Sequence, residues 1–403
     1  MGIPADDQFS DFNNVHHRTK LAKLLEAAKP HGIFIADVLG GYNVYQGPRN
    51  LSAAIKYGVQ WPFNEPLAIV PAMAAATESL GFRVMAATTY EQPYHLARYL
   101  DSAARNLGAT KQPKHDERYA IAEEYLRIMY KLWQESWRDD AMVLNRETGV
   151  PGPYIRQPSP QRTRLLFQAG TSKAGKAFAS QYAEAIFVAG HSPAIVAKNI
   201  AEIQQQAQEK FGRDPKAIKF LALICPIIGK MEEEAAAKFA GLQNYGDING
   251  ALALFWGWTG IDLDQYDEDQ GLRHVESNTI RSAVEDESES DVDGFNIAYA
   301  LKPGTFVDII ELLLPELRKN GLFWNDYLVK GGACRENVTG HVGQKYPADD
   351  HPAARYHWRV GVEKADHVIP PEPEQESKHS LKRQLDISPE TGRPKRRESA
   401  RVP

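Results

Sequence analysis

The sequence predicts an α/β fold around a largely parallel β-sheet, either closed as a barrel or open with helices on both faces. Short, β-branched apolar runs indicate strands that are buried on both sides, and segments with helical apolar spacing separate them. A closed (β/α)8 barrel needs eight strands, whereas this chain shows six candidates. The predicted strands are Gly32–Val38, Arg83–Tyr90, Arg164–Ala169, Ala185–Ala189, Ile218–Ile228 and Gly294–Ala300.

The first two predicted strands each follow a predicted helix. Over Arg18–Ala28, leucine and alanine residues recur on one helical face, and Pro30 ends this helix before the first strand. A second helical run covers Leu67–Leu80, and Gly81 breaks it ahead of the second strand. This repeated helix and strand step is typical of parallel α/β sheets.

Later helices are predicted over Glu117–Trp133, Pro193–Phe211 and Phe306–Asn320. Cys225 falls inside an apolar predicted strand, so no cysteine nucleophile is indicated. The acidic run at 285–293 is predicted to be a solvated connection. Beyond residue 370 the chain has little apolar surface to bury, and we therefore predict one domain at 1–369 and a disordered charged tail at 370–403.

Charge and hydropathy argue against several classes of function. The 403 residues include 47 Lys and Arg and 52 Asp and Glu, for a formal net charge of −5. No net attraction therefore draws the chain to nucleic acid or to an anionic membrane, and no apolar run approaches the ~20 residues of a membrane span. Two cysteines are too few for a disulfide framework, so we expect a cytoplasmic protein.

The turn Gly170–Ala177 follows the third predicted strand and opens a helix. It nearly matches the pattern G-x-x-x-x-G-K-[ST], in which backbone N–H groups cradle phosphates, but Ala177 replaces the hydroxyl that binds Mg²⁺. A phosphate-bearing cofactor without a metal therefore fits this turn better than a nucleoside triphosphate does. The turn fits equally well as an ordinary connection in which a glycine permits tight packing.

Polar residues also follow the first two predicted strands. Asp37 ends the first, and Thr88 and Thr89 end the second, which predicts one polar rim at the carboxyl ends of the strands. Asp37 fits equally well as a turn or N-cap residue. No spacing of histidine or cysteine predicts a metal site, and the G-x-S-x-G and G-x-G-x-x-G motifs are absent.

A set of longer segments forms a specific pattern along the chain. They are Gly32–Gly40, Pro66–Gly81, Ala87–Pro93, Tyr99–Gly108, His115–Tyr119, Tyr130–Trp137, Ser159–Arg162, Phe167–Ser172, Trp258–Leu263 and Asp293–Tyr299. In these segments the chain resembles the bacterial-luciferase-like flavin monooxygenases, in the branch of nitrilotriacetate monooxygenase component A, dibenzothiophene sulfone monooxygenase and long-chain alkane monooxygenase. The resemblance extends from about Asp7 to Trp358.

The resemblance implies a (β/α)8 TIM barrel that binds reduced FMN, which a separate NAD(P)H:flavin reductase supplies. It implies oxygenation of a small organic molecule with O₂, by a homo-oligomer and without a metal. Because the flavin performs the chemistry, no catalytic side chain is assigned. The implied flavin-binding residues are Asp37, Thr88, Tyr119, Gly170, Thr171 and Ser172, and the implied substrate-binding residues are Tyr42, Gln60 and Tyr99.

Two strands of the family's barrel have no counterpart in this sequence. The family's first strand would precede Pro4, and its fourth would lie between Arg98 and Tyr99. Each missing strand would expose unpaired N–H and C=O groups, so we predict an incomplete luciferase-like TIM barrel. The alternative to an active enzyme is a truncated, catalytically impaired homologue with a partial flavin-phosphate site, and a P-loop protein is a third hypothesis that Ala177 disfavours.

Overall fold

The computed structural model describes residues 7–37, 41–42, 45–47, 50–60, 65–86, 88, 115–135, 138, 161–188, 193–259, 291–363 and 366–367. Within these residues, each of six strands overlaps one predicted strand. The strands are β1 (Gly32–Ile35), β2 (Gly81–Val84), β3 (Phe167–Ala169), β4 (Ala185–Val188), β5 (Lys219–Ile224) and β6 (Gly294–Ile297).

Helices alternate with these strands, as the sequence predicts. Single π-helical turns cover Lys131–Glu135 and Ile309–Leu313, and short 3-10 helices cover Phe9–Asn13, Pro215–Ala217 and Ala354–Tyr356. The α-helices are α1 (Val15–Ala28), α2 (Ser52–Tyr57), α3 (Pro66–Ala75), α4 (His115–Tyr130), α5 (Lys173–Tyr182), α6 (Pro193–Phe211), α7 (Glu232–Gln243), α8 (Ile248–Thr259), α9 (Gly304–Asp308), α10 (Leu314–Lys319) and α11 (Cys334–Thr339).

The described strands form two parallel sheets, β1–β2 and β3–β4–β5–β6. Two ring contacts join them. The centroids of Phe34 on β1 and Phe187 on β4 are 4.7 Å apart, and the Arg83 guanidinium on β2 lies 4.5 Å from the Phe167 ring centroid on β3. The predicted parallel α/β architecture is therefore confirmed.

The largest core cluster lies between the four-stranded sheet and helices α5 and α6. On α6, Val196, Ile200 and Ile203 are buried because their spacing places them on one helical face. They pack with Ile186 of β4 and Phe220 of β5. Through Ala179 of α5, this core also anchors the helix that follows the loop after β3.

Two predicted boundaries in the first half are wrong. The helix predicted to reach Leu80 ends at Ala75, because the Glu26 carboxylate accepts hydrogen bonds from the N–H groups of the three residues 78–80 at 2.7, 2.6 and 3.1 Å. Gly81 begins β2 instead of merely ending a helix. A Cβ at Gly81 would lie 2.7 Å from Cys334 Sγ, so this close approach requires glycine.

One further expectation near β5 is wrong. This strand ends at Ile224, and Cys225 is exposed beyond it instead of lying inside a strand. Asp293, at the end of the predicted solvated connection, is exposed, and its Oδ2 also accepts a hydrogen bond from Phe220 N at 2.9 Å while its Oδ1 pairs with Lys219 Nζ at 3.0 Å. Asp293 therefore connects the end of the acidic run to β5.

Other predictions fall on residues outside the described ranges. These include Thr89, the Arg98–Tyr99 junction, most of the acidic run and the tail at 370–403. Among the helices that the structure describes, none combines the length and the apolar character needed to cross a membrane.

Candidate functional site

The loop after β3 turns sharply into the N-terminus of α5. Ser172 is the N-cap, and its Oγ accepts a hydrogen bond from Gly175 N at 3.1 Å. Gly170 has a φ of +113°, a conformation that residues with side chains rarely adopt. Thr171 and Ser172 are both buried. The local sequence thus fixes a tight turn in front of helix N–H groups that have no intrahelical acceptor.

Tyr119 of α4 reaches the same turn from a distant part of the sequence. Its ring packs against Phe178 of α5, with centroids 5.6 Å apart. A Cβ on Gly170 would lie 3.1 Å from the Tyr119 Oη, and a Cβ on Gly175 would lie 2.8 Å from it. Because neither glycine carries a side chain, the Tyr119 hydroxyl can approach the N-terminus of α5. Four of the predicted cofactor-binding residues, Tyr119 and 170–172, therefore lie close together.

The electrostatics of this turn favour an anion. Helix N–H groups and the positive end of the helix dipole attract phosphate. Lys176, the lysine of the near P-loop pattern, instead pairs with Glu202 of α6 at 2.6 Å, which argues further against the P-loop hypothesis. Among the described residues, no group of three His, Cys, Asp or Glu side chains could hold a metal ion.

Asp37 and Thr88 lie at the edge of the two-stranded sheet. The parallel register sets Ile35 opposite Val84, so both residues follow their strands at the carboxyl edge. Both are half-buried. Asp37 lies two residues and Thr88 four residues beyond this last pair, at the same edge of the sheet, while the loop at Gly170 follows the carboxyl end of β3 in the other sheet.

The predicted substrate residues Tyr42 and Gln60 lie beside the pair of helices α2 and α8. A Cβ on Gly257 of α8 would overlap the Tyr42 ring. Gln60 follows α2 with a φ of +48°, and its buried Oε1 has no hydrogen-bond partner among the described residues. The third predicted substrate residue, Tyr99, lies outside the described residues.

Two residues at the loop were not among the predicted binding residues. Gly175 lies next to the Tyr119 hydroxyl, since a Cβ at this position would be 2.8 Å from its Oη. The sequence indicates this residue as the second glycine of the near P-loop pattern. Gln168 donates from Nε2 to Ala169 O at 2.8 Å, while its Oε1 is buried without a partner in the described part of the chain. Its signal was a polar residue within an apolar strand.

Comparison with known proteins identifies close relatives. The sequence profile of the luciferase-like monooxygenase family matches residues 99–295. Long-chain alkane monooxygenase of Geobacillus thermodenitrificans (strain NG80-2) is 36% identical over 413 aligned positions, which cover 87% of this chain and 92% of the relative. Dimethyl-sulfide monooxygenase of Hyphomicrobium sulfonivorans is 35% identical, with 87% and 88% covered. The crystal structure of long-chain alkane monooxygenase (LadA) aligns with a TM-score of 0.78 at 34% identity, covering 88% of this chain and 94% of that one.

Proposed function

Because this chain belongs to the luciferase-like monooxygenase family, we propose that it is a flavin-dependent monooxygenase. It uses reduced FMN and O₂ to oxygenate a small or medium organic substrate of the xenobiotic type. Its fold is of the α/β TIM-barrel type found in its structural relatives. The single observation that carries the proposal is the convergence of Tyr119, Gly170 and Gly175 at the N-terminus of α5.

The residues of this turn fit the phosphate end of FMN. The phosphate is an anion, and the first turn of α5 offers N–H groups and a favourable dipole. Gly170 and Gly175 leave a cradle that a Cβ at either position would fill, and Tyr119 adds a hydroxyl to its wall. Thr171 and Ser172 shield the phosphate from solvent because both are buried.

The other predicted site residues would hold the ring system and the substrate. When bound and reduced, the flavin supplies the electrons that activate O₂. Asp37 and Thr88 orient the ring system from the edge of the two-stranded sheet, and Tyr42, Gln60 and Tyr99 contact the substrate. The buried Oε1 of Gln60 supports this role, since it is an acceptor that a ligand could satisfy.

Half-buried aromatic rings lie between the two sheets. Phe187 stacks on Phe167 with centroids 5.3 Å apart and also contacts Phe34. Large apolar side chains of this kind commonly fill the interior of a TIM barrel. These rings would give a bound flavin an apolar neighbour on the side of the strands.

The resemblance also supplies the rest of the proposal. The barrel domain covers residues 1–369, the chain forms a cytoplasmic homo-oligomer, and a separate NAD(P)H:flavin reductase delivers the reduced FMN. The proposed substrate belongs to a class that includes alkanes, organic sulfur compounds and aminopolycarboxylates.

A second candidate function is that of a truncated, catalytically impaired homologue with a partial flavin-phosphate site. Two observations favour it. The described strands form separate sheets of two and four strands, and an alignment of 413 positions that uses 87% of a 403-residue chain leaves dozens of positions of the relative opposite gaps. A missing fourth strand would interrupt the barrel between β2 and β3.

The test is oxygenation by the purified chain with FMN, NADH and an added flavin reductase. Candidate alkanes, sulfides, sulfones and aminopolycarboxylates are supplied in turn, and product formation is followed by mass spectrometry with ¹⁸O₂. The active enzyme incorporates one ¹⁸O atom into one substrate class, only when the reductase is present. FMN binding without label in any product would favour the impaired homologue, and absence of FMN binding would contradict both functions.

A further inference from the structure

We propose that this chain has a second ligand site, a cavity of about 500 Å³ that binds a small oxyanion carrying its own hydrogen-bond donor. We call it the back cavity. Its walls include Gln181, Phe211, Arg213, Asp350, Pro352 and Arg355. Neither the family match nor the proposed flavin site accounts for the chemistry of these residues.

The back cavity lies at the opposite end of α5 from the phosphate loop. Ser172 caps the N-terminus of this helix, whereas Gln181 in its last turn lines the cavity. A helix of 10 residues spans about 15 Å at 1.5 Å per residue. Arg213 also precedes β5, so the cavity lies at the amino ends of the strands, away from the predicted flavin rim.

Arg213 supplies the buried positive group of the back cavity. Arg213 is only 2% exposed, and its Nη1 donates a hydrogen bond to Ser180 O at 3.1 Å. Its Nε is buried and has no acceptor among the described residues. The negative charges of Asp350 and Glu184 act on this guanidinium, but a buried N–H without an acceptor is still costly, so an oxyanion placed against Nε would recover that free energy.

Asp350 sets the second requirement on the ligand. Its Oδ2 accepts a hydrogen bond from Asp214 N at 2.7 Å, while its buried Oδ1 has no donor in the described part of the chain. The neighbouring Asp349 pairs with Arg359 at 3.0 Å on the exposed rim. The ligand must therefore present an acceptor to Arg213 and an O–H or N–H donor to Asp350.

The remaining walls complete the selectivity of the back cavity. Lys210 and Arg355 add positive charge, and Phe211 and Pro352 provide apolar surface for an organic body. His351 does not contribute a free nitrogen, because Nε2 bonds to Tyr182 O at 2.8 Å and Nδ1 accepts from Ala353 N at 3.1 Å. Hydrogen phosphate and 2-hydroxycarboxylates both meet these requirements.

Two pairs of probes isolate the donor requirement. Inorganic phosphate carries a P–O–H group, whereas sulfate has the same shape without a hydrogen at neutral pH. Mandelate carries a hydroxyl that phenylacetate lacks. We expect calorimetric titration of the full chain at constant ionic strength to show at least tenfold tighter binding within one of the two pairs. Tighter binding of phosphate than of sulfate would identify the ligand as a phosphate, and tighter binding of mandelate than of phenylacetate would identify it as a 2-hydroxycarboxylate.

Substitutions locate the effect. Asp350→Asn keeps an acceptor for Asp214 N but can donate from its amide, so it should abolish the preference within the discriminating pair. Asp349→Asn, the matched control on the rim, should preserve that preference. The preference should also survive Gly175→Ala, which alters only the phosphate loop. Equal binding within both pairs, or an unchanged preference in Asp350→Asn, would overturn the proposal without bearing on the flavin site.

Discussion

The four-stranded and two-stranded sheets are stabilised in different ways. Against the four-stranded sheet, ten buried apolar residues form one cluster, and β4 is almost entirely buried. Among the described residues, the cluster against the two-stranded sheet has three buried members, Ala22, Met73 and Leu80, and all of β1 is half-buried. The turn at Gly170 therefore emerges from the better packed sheet, while Asp37 and Thr88 lie on the weaker one.

A buried ion pair closes the amino end of the four-stranded sheet. Arg335 donates from Nε and Nη2 to the two carboxylate oxygens of Glu184 at 2.7 and 2.9 Å, and from Nη2 to Thr163 O at 2.9 Å. Burial opposes ionisation of Glu184, but the hydrogen bonds from Arg335 hold its pKa below the ordinary value. The pair ties α11 to the start of β4.

Breaking this pair should have the largest effect. Glu184→Gln leaves the Arg335 charge buried without its counter-ion, which is expected to lower the free energy of unfolding by about 3–5 kcal/mol. Urea unfolding followed by circular dichroism measures the change. Glu316→Gln, in the exposed pair with Lys319, is the control and should cost less than about 1 kcal/mol. Similar losses for both variants would contradict the assigned role of the pair.

Acid should destabilise the same region through His351. Burial lowers the pKa of His351 from 6.5 to about 4, so the folded chain keeps the neutral ring while the unfolded chain takes up a proton. Its contribution is complete above pH 6.5 and is lost as the pH falls toward 4, by about 3 kcal/mol in total.

Unfolding in urea at a series of pH values checks this expectation. On the two-stranded sheet, burial likewise lowers the pKa of His31 to about 4, so each histidine should supply part of the slope. His351→Gln and His31→Gln should each flatten the pH dependence between 6.5 and 4. An unchanged slope in both variants would assign the acid sensitivity to other groups. The contribution of Glu184 to stability is lost only below pH 4.5, because its pKa in the folded chain is lowered from that value.

Gly175→Ala tests the phosphate cradle itself. The added methyl would lie 2.8 Å from the Tyr119 Oη and 2.9 Å from Gly170 O, so the turn must shift. We expect FMN affinity to fall at least tenfold, about 1.4 kcal/mol, as measured by flavin fluorescence quenching. Gly241→Ala in α7 has open space around its added methyl and should keep FMN affinity while adding up to about 1 kcal/mol of stability.

The contact between Arg83 and Phe167 tests how firmly the two sheets are joined. A double-mutant cycle of Arg83→Met and Phe167→Leu should give a coupling energy of about 0.5–2 kcal/mol, since the guanidinium lies 4.5 Å from the ring centroid. Urea unfolding of the four proteins measures it. A coupling near zero would mean that other contacts join the sheets.

The fold class and the sharp turn at Gly170 could be predicted because their signals are local. Strands buried on both sides are uniformly apolar, and the Gly170–Ser172 turn shows its glycine and hydroxyl residues directly. The start of β2 at Gly81 could not be predicted, because it depends on pairing with Gly32 of the distant β1. The proximity of Tyr119 to the turn followed only from resemblance, since the intervening chain gives no signal of that contact.

The joint presence of Arg213 and Asp350 in the wall of the back cavity had no signal in the sequence either. The two residues come from segments far apart in the chain, and neither belongs to a motif. The exposed position of Cys225 was missed because the apolar run continues beyond the last paired residue of β5. Hydrogen bonding between strands, and not hydropathy, decides where a strand ends.

The most direct test of the central claim compares FMN with riboflavin, which lacks only the phosphate. If the turn formed by Gly170, Ser172 and Gly175 holds the phosphate with Tyr119, the purified chain should bind FMN at least tenfold more tightly than riboflavin. Gly175→Ala should remove most of that difference while leaving riboflavin binding nearly unchanged. Equal affinities for FMN and riboflavin in the unmodified chain would contradict the assignment of this turn as the flavin-phosphate site.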